Sequence, residues 1–91
     1  MVTPRCGFGL CAHGGYLYAF GGWTGSVMER NIERYDPIAD EWKLLLESNM
    51  PEARSNMGIV EHQGLIYIVG GYTYNYNPLH DFFSYNPVTG E

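Results

Sequence analysis

The segment YLYAFGGW at residues 16–23 returns as LIYIVGGY at residues 65–72, which lies 49 positions further along the chain (65 − 16 = 49). Three pairs upstream keep this spacing: Arg5 with Arg54, Gly9 with Gly58, and His13 with His62. Beyond residue 24 the spacing becomes 50, and YDP at 35–37 meets YNP at 85–87. The second copy therefore has one extra loop residue. Self-similarity at a fixed period of this size indicates a repeat architecture.

Each copy consists of short runs of β-branched and aromatic residues bounded by glycine and proline turns, a pattern that predicts strands. In the first copy we predict strands at 8–12, 16–20, 32–35 and 42–46, with a polar loop at 24–31. In the second copy we predict strands at 57–61, 65–69 and 82–85, with a loop at 73–80. A helix around 44–47 is the alternative that propensity alone allows.

The fourth strand of the second copy, with the counterpart of Trp42, would begin after Glu91, the last residue of the sequence. We therefore assign residues 1–49 to a first repeat and residues 50–91 to a second, incomplete one. The prediction is an all-β chain with two antiparallel four-stranded blades of a β-propeller, of which the second lacks its outer strand. Because repeats bury their faces against neighbours, we expect two blades alone to be marginally stable or to self-associate.

Composition excludes several classes of function. The 91 residues are 45% hydrophobic and 16% charged, which argues against disorder. The net charge of −5, with five Lys plus Arg, leaves no basic surface for nucleic acid. We find no apolar run long enough for a membrane helix and no secretory leader, so the expected location is the cytoplasm, with cytoskeletal association as the alternative.

The thiols and imidazoles are not spaced as metal or redox sites. Cys6 and Cys11 are too far apart along an extended strand for a disulfide, so both are predicted to be free. His13 and His62 occupy equivalent turns of different repeats, and no Cys-x-x-Cys or His-x-x-x-His pair is present. We expect no metal, no cofactor and no catalytic residue.

A double glycine, then Tyr-Asp-Pro, then Trp, at a period near 50 residues, resembles the kelch repeat, of which each copy forms one propeller blade. The residues that carry this structural motif are Gly21, Gly22, Tyr35, Trp42, Gly70, Gly71 and Tyr85. The strings PRCGFGLC at 4–11, AFGGWTG at 19–25 and IERYDP at 32–37 most resemble the BTB-kelch proteins, and among these the actin-binding members.

The resemblance implies a function in protein binding rather than catalysis. BTB-kelch proteins typically recruit substrates to cullin-3 ubiquitin ligases, and some bind actin filaments. Contact with cullin-3 would require a BTB domain, which these 91 residues do not contain. A cytoskeletal actin-binding protein is the alternative, and an enzyme of the propeller-oxidase kind is a third hypothesis.

The resemblance also implies where a partner would bind. One propeller face is lined by the residues that follow the repeat arginine and by those that follow the double glycine. In this chain the predicted partner-binding residues are Cys6, Gly7, Ser55, Asn56, Trp23 and Tyr72. Arg30, Tyr74, Asn75 and Tyr76 in the loops are weaker candidates. The alternative for Trp23 and Tyr72 is that they only shield the ends of the blades.

Overall fold

A computed structural model describes residues 4–90, with the side chains of all of these except residues 46 and 47. The described residues form seven antiparallel strands in two sheets, and each sheet is a simple meander. The first sheet contains β1 (Gly9–His13), β2 (Tyr16–Trp23), β3 (Met28–Asp36) and β4 (Glu41–Asn49). The second contains β5 (Gly58–His62), β6 (Leu65–Val69) and β7 (Phe82–Tyr85). The predicted all-β class and the two sheets of four and three strands are confirmed.

The largest departure from the predicted strands lies between β2 and β3. Residues 28–31 belong to β3, whereas the sequence pattern placed them in a polar loop. Strand β2 continues through Gly21-Gly22 to Trp23, with an irregularity in the pairing after Phe20. The Thr24 hydroxyl accepts hydrogen bonds from the amides of Ser26 and Val27, at 3.3 and 3.0 Å, and this short turn lets pairing resume at Met28.

The extra residue of the second repeat lies in the corresponding turn. The Thr24 amide donates to the Val27 carbonyl at 3.0 Å, whereas the Thr73 amide donates to the Asn77 carbonyl at 3.1 Å, one residue further along. Tyr76, inside the longer turn, adopts the left-handed conformation with φ of 59°. Residues other than glycine rarely adopt that backbone conformation. The longer turn, which holds Tyr74, Asn75 and Tyr76, therefore differs in backbone conformation from the turn of the first repeat.

Strand β4 is longer than predicted and is a strand rather than a helix over its leucines. Its Trp42 is half-buried at the outer side of the sheet, with its ring centroid 5.1 Å from that of Tyr35 on β3. The β3–β4 turn is closed by Asp36, whose carboxylate accepts from the Ile38 amide at 3.0 Å. Asn86 makes the equivalent contact with Val88 in the second repeat, at 2.9 Å.

The core lies between the two sheets. Tyr18, Phe20 and Ile32 of the first sheet pack with Ile66, Ile68 and Tyr85 of the second, and Met50 of the connection completes this cluster. The Tyr85 ring meets Phe20 edge-on, with centroids 5.7 Å apart. Burial of this apolar seam stabilises the packing of the two sheets, by ~25 cal/mol for each Å² of apolar surface removed from water.

Each sheet keeps a second face that the other does not cover. On the second sheet this face carries Val60, Val69 and Phe82, which are 57, 48 and 64% exposed. These residues stand at the repeat positions of Cys11, Phe20 and Ile32 in the first sheet, two of which are buried in the core. The uncovered face therefore has the pattern of a surface that packs against a neighbouring sheet.

The double glycine permits the close approach of the two sheets. The Gly22 amide donates to the Arg54 carbonyl at 2.9 Å. A Cβ added to Gly21 would lie 2.5 Å from that same carbonyl oxygen and 2.6 Å from the Met50 methyl group. Since Gly21 also has φ of 61°, both the space and the conformation require glycine here.

Candidate functional site

The segment before each first strand pairs with the residue that follows each double glycine. Cys6 and Trp23 exchange two backbone hydrogen bonds, at 2.9 and 2.8 Å. Ser55 and Tyr72 exchange the equivalent pair in the second repeat, at 3.0 and 2.9 Å. The two sets of predicted partner-binding residues, which are far apart in sequence, are therefore neighbours within each repeat.

A further hydrogen bond joins these pairs across the two repeats. The Asn56 amide donates to the Gly7 carbonyl at 2.7 Å. Gly7 and Asn56 are equivalent repeat positions, and both are left-handed, with φ of 67° and 56°. A Cβ on Gly7 would lie 3.0 Å from Asn56 Oδ1, so the glycine leaves room for the Asn56 side chain. Asparagine tolerates this conformation better than most residues.

These contacts form a cleft of about 630 Å³ at one end of the two sheets. Five of the six predicted residues line this cleft: Cys6, Gly7, Trp23, Ser55 and Asn56. The remaining walls are Met28, Thr73, Tyr74, Asn75 and Tyr76. Tyr72, the sixth predicted residue, is 43% exposed but does not line the cleft.

The aromatic wall of the cleft comes from both repeats. The ring centroids of Trp23 and Tyr74 are 5.5 Å apart with their planes inclined at 42°. Tyr74 is 63% exposed and Tyr76 is 84% exposed, so both rings are available to a bound molecule. Large aromatic side chains with a polar group are the residues most often found at the energetic centre of protein interfaces.

The polar groups of the cleft are available for binding. Among the described residues, no protein group hydrogen-bonds to the Ser55 hydroxyl, to the Asn56 side-chain amide or to the Trp23 indole N–H. The lining residues include neither a basic nor an acidic side chain. The cleft can therefore donate and accept neutral hydrogen bonds beside an aromatic surface.

Arginines hold the two glycine turns that carry this site. Arg5 Nη1 donates to the Gly21 carbonyl at 2.8 Å, and Arg54 Nη1 donates to the Gly70 carbonyl at 3.0 Å. Arg5 is ion-paired with Glu33, and Arg54 binds Asp81 through two hydrogen bonds of 2.7 and 2.8 Å. The guanidinium of Arg54 holds the pKa of the Asp81 carboxyl below its ordinary value of 3.8.

Sequence reasoning underestimated the loops. Tyr74, Asn75 and Tyr76 were the weaker candidates, yet all three line the cleft, and Met28 and Thr73 were not predicted at all. The signal for the tyrosines was the extra residue of the second repeat, which marks a loop that departs from the repeat pattern. Arg30, the fourth weak candidate, does not line the cleft, and its Nε donates to the Met50 carbonyl at 3.0 Å.

The opposite end of the sheets brings together different groups. His13 Nδ1 lies 3.4 Å from Glu61 Oε2, across the boundary between the repeats. Burial, and secondarily the charge of Glu61, raise the pKa of the nearby Cys11 thiol. Cys6 and Cys11 are both free, as predicted. Within residues 4–90, no group of three or more His, Cys, Asp or Glu side chains is placed to hold a metal ion.

No helix among residues 4–90 is long and apolar enough to cross a membrane.

The geometry defines a class of protein. Repeated antiparallel meanders packed face to face through double-glycine turns, with a cleft between repeats at one end, are blades of a β-propeller. The Kelch motif model matches residues 4–45 and again 53–91. The chain belongs to the kelch-repeat family, whose fold serves protein–protein interaction.

Known proteins of this family match most of the chain. It is 40% identical over 73 residues to Kelch repeat and BTB domain-containing protein 2 of ectromelia virus (strain Moscow), which covers 80% of this chain and 13% of that protein. It is 40% identical over 71 residues to the human Influenza virus NS1A-binding protein, covering 78% and 11%. It is 41% identical over 75 residues to Kelch-like ECH-associated protein 1B of Danio rerio, covering 78% and 12%.

The chain thus spans about an eighth of the length of these relatives, 13% in the first of them. A solved structure shows the same fold. The structure of YjhT superimposes with a TM-score of 0.83 and 18% sequence identity, over 96% of this chain and 36% of that one.

Proposed function

We propose that this chain forms part of the substrate-recognition surface of a BTB-kelch adaptor for a cullin-3 ubiquitin ligase, acting in the cytoplasm. The observation that carries the proposal is the cleft between the repeats. Five residues expected to bind a partner converge there, although they come from three separate segments of the chain.

The relatives support the same assignment. Two of the proteins to which the chain is similar carry a BTB domain or a kelch-like title, and another is titled for the viral protein that it binds. Because the chain spans only a small part of each, recognition of a partner is the activity proposed for these residues. Contact with the cullin belongs to a BTB domain, outside the kelch repeats.

The cleft is suited to a peptide or loop of a partner protein. Ligand sites combine an apolar or aromatic lining with a few polar groups that fix orientation. Here the rings of Trp23 and Tyr74 supply the surface, and Ser55 and Asn56 supply the hydrogen-bonding groups. Rigid strands on either side hold the loops that carry them.

The test is capture of partner proteins by the chain and by a cleft variant. The substitution Trp23→Ala removes the largest ring of the cleft, and we expect the specific partner set to be lost. The matched control is Ile38→Ala, which truncates a 98% exposed side chain in the distant β3–β4 turn. A partner set that is identical for the wild-type chain and the Trp23 variant would contradict the proposal.

Two further measurements separate the adaptor from a cytoskeletal protein. Partners captured through the cleft should accumulate in cells when cullin-3 activity is blocked, as substrates of a ligase do. Co-sedimentation with filamentous actin tests the other partner class that the resemblance implies. Sedimentation of the chain with actin, abolished by the Trp23 substitution, would replace the adaptor proposal with a cytoskeletal one.

A further inference from the structure

We infer that the cleft recognises a basic segment of its partner, with an arginine or lysine side chain seated against the Trp23–Tyr74 pair. The inference rests on the proposed function, because it specifies the chemistry of the partner that the same cleft would bind. It is carried by the aromatic geometry of the cleft, by the charges around it and by the charge of the chain.

The aromatic geometry fits a cation. The faces of Trp and Tyr rings attract an ammonium or guanidinium group that lies within about 6 Å of the ring centroid. Trp23 and Tyr74 have centroids 5.5 Å apart and planes inclined at 42°, so a cation at the wider side of the wedge between their planes can lie within that distance of both centroids. A guanidinium or a lysine ammonium at the wider side of this wedge would be attracted by both rings.

The charges around the wedge exclude the opposite partner. An acidic peptide is normally held by arginine or lysine side chains, and none lines the cleft. The neighbouring arginines already have partners within the fold: Arg5 is ion-paired with Glu33, Arg54 binds Asp81, and Arg30 donates to the Met50 carbonyl. A carboxylate entering the cleft would lose water and gain only neutral donors.

One carboxylate lies beside the wedge. A smaller groove shares Met28, Thr73 and Tyr74 with the cleft, and Glu52 also lines this groove. Glu52 is exposed, and among the described residues its carboxylate has no ion-pair partner. A basic side chain in the wedge, or its neighbour in sequence, can therefore pair with Glu52. The net charge of −5 adds long-range attraction for such a segment.

The position of Glu52 follows from the fold rather than from chance contact. Its backbone carbonyl accepts from Arg54 Nε at 3.3 Å, and the Arg54 amide donates to the Glu29 carbonyl at 3.2 Å. These bonds fix the segment that precedes the second repeat against β3. The backbone of Glu52 is thereby held in the lining of the groove that Tyr74 borders.

The experiment uses capped peptide pools that are uncharged except at one central residue, which is Arg, Lys, Gln, Glu or Phe and is the only difference between the pools. Binding to the 91-residue chain is followed through the two indole N–H resonances in proton–nitrogen NMR, of which one belongs to Trp23. The substitution Trp23→Phe assigns that resonance. We expect the Arg and Lys pools to shift it at concentrations at least several-fold lower than the Gln and Glu pools.

Variants separate cation binding from general stickiness. Tyr74→Leu keeps apolar volume but removes the ring face, and we expect binding of the Arg pool to weaken about two- to fivefold. Tyr74→Phe keeps the ring and should bind like the wild type. Glu52→Gln should weaken the Arg pool about two-fold. Its matched control, Glu41→Gln, removes the same charge from an exposed site at the start of β4 and should have less effect.

The outcomes distinguish the two proposals. Preference for the Arg and Lys pools, with loss in Tyr74→Leu, supports the inference. Equal binding of all pools, or preference for Phe, Gln or Glu, overturns it and leaves partner binding through the cleft intact. A dispersed spectrum of the folded chain with no shift from any pool contradicts both the inference and the proposed function.

Discussion

The two repeats hold equivalent arginines in different ways. Arg5 and Arg54 both donate to the carbonyl of the first glycine of the double-glycine turn. In the first repeat the acid partner is Glu33, which is 0% exposed, whereas in the second it is Asp81, whose side chain is 43% exposed. The same turn is thus anchored by a buried ion pair in one repeat and by a partly solvated one in the other.

The two repeats differ at two positions that are two residues apart, of which Asn31 and Glu33 lie in β3 in the first repeat, whereas Asp81 directly precedes β7 in the second. At the spacing of 50 that relates the third strands, Asn31 corresponds to Asp81 and Glu33 corresponds to Phe83. Asn31 Oδ1 accepts from Arg5 at 2.5 Å, and the Phe83 ring lies beneath Arg54, with Cζ 4.9 Å from its centroid. Each arginine requires a hydrogen-bond acceptor for its guanidinium group, and a side chain at either of these two positions can supply that acceptor.

The largest effect is expected from removing the arginines. Arg5→Met leaves the buried Glu33 carboxylate without its guanidinium, and loss of one partner of a buried pair costs about 3–5 kcal/mol. Arg54→Met leaves Asp81, which water can reach, so we expect a smaller cost of about 1–3 kcal/mol. Urea unfolding followed by circular dichroism, with a stabilising osmolyte in all samples, measures both.

The control for loss of positive charge is Arg34→Met. Arg34 lies over the Tyr16 ring at 4.5 Å and is half-buried, so its removal should cost about 1 kcal/mol or less. Equal losses of stability in Arg5→Met and Arg54→Met would show that burial of the acid does not set the cost.

The second prediction transplants the arrangement of the second repeat into the first. Glu33→Phe alone removes the buried acid beside Arg5. Adding Asn31→Asp places a carboxylate at the position of Asp81, and we expect it to recover about 1–3 kcal/mol of the loss, as contacting pairs do. A double-mutant cycle on the free energy of unfolding measures this coupling.

The cycle is best made in a Glu29→Gln background. The Asn31 amide donates to the Glu29 carboxylate at 2.9 Å, and an aspartate at position 31 could not. Glutamine at position 29 can donate to that aspartate instead. Additive effects of the two substitutions would refute the idea that the two positions are interchangeable sources of one acceptor.

The third prediction concerns pH and the second repeat. Because Arg54 lowers the pKa of Asp81 in the folded chain below its ordinary 3.8, this carboxylate stabilises the fold at pH values above 3.8. That stabilisation is lost as the pH falls through the lowered folded pKa. Asp81→Asn should therefore cost about 1 kcal/mol at neutral pH, and the difference from the wild type should shrink on acidification.

Asp36→Asn provides the matched charge change for that titration. Asp36 caps the β3–β4 turn, and Asn86 already makes the equivalent contact in the second repeat, so asparagine should be tolerated there. A stability difference between wild type and Asp81→Asn that stays constant with pH would contradict the role of the ion pair.

How much of this could be predicted from sequence depends on whether the feature repeats. The double glycines, the turn at Asp36 and Asn86, and the segments after Arg5 and Arg54 recur at fixed spacing, and the structure uses them in equivalent ways. The ion pairs could not be found in the same way. Arg5 and Glu33 are 28 residues apart in the sequence. The acid that pairs with Arg54 is Asp81, which stands two positions before the repeat equivalent of Glu33, so aligning the repeats does not identify it.

The residues of the cleft also fall into those that follow the repeat pattern and those that depart from it. The backbone positions of Cys6, Gly7, Ser55 and Asn56 follow from the repeat, and the structure brings them together. The contribution of Tyr74 and Tyr76 depends on a single extra residue, whose effect on the loop is a matter of tertiary packing. The repeat pattern thus predicts the backbone positions that form the site, whereas the loop that departs from the pattern supplies the tyrosines of its aromatic wall.

The smallest effect is expected where the repeats differ by one hydroxyl contact. The Tyr85 hydroxyl donates to Ser48 Oγ at 3.1 Å in the buried seam between the sheets, and Ser48 Oγ donates in turn to the Gly90 carbonyl at 3.1 Å. Tyr35, the equivalent residue, instead donates to Asp40 at 2.7 Å within its own exposed turn. Gly90 stands at the position of Asp40, so Tyr85 has no carboxylate in its turn and bonds across the seam.

Tyr85→Phe should therefore cost about 1 kcal/mol, the ordinary net contribution of a buried hydrogen bond, because Ser48 keeps its bond to Gly90. Tyr35→Phe, which removes an exposed bond, should cost less than Tyr85→Phe. Unfolding of both variants in parallel measures the difference. A greater loss from Tyr35→Phe would mean that the turn of the first repeat, and not the seam between the sheets, limits the stability of the pair.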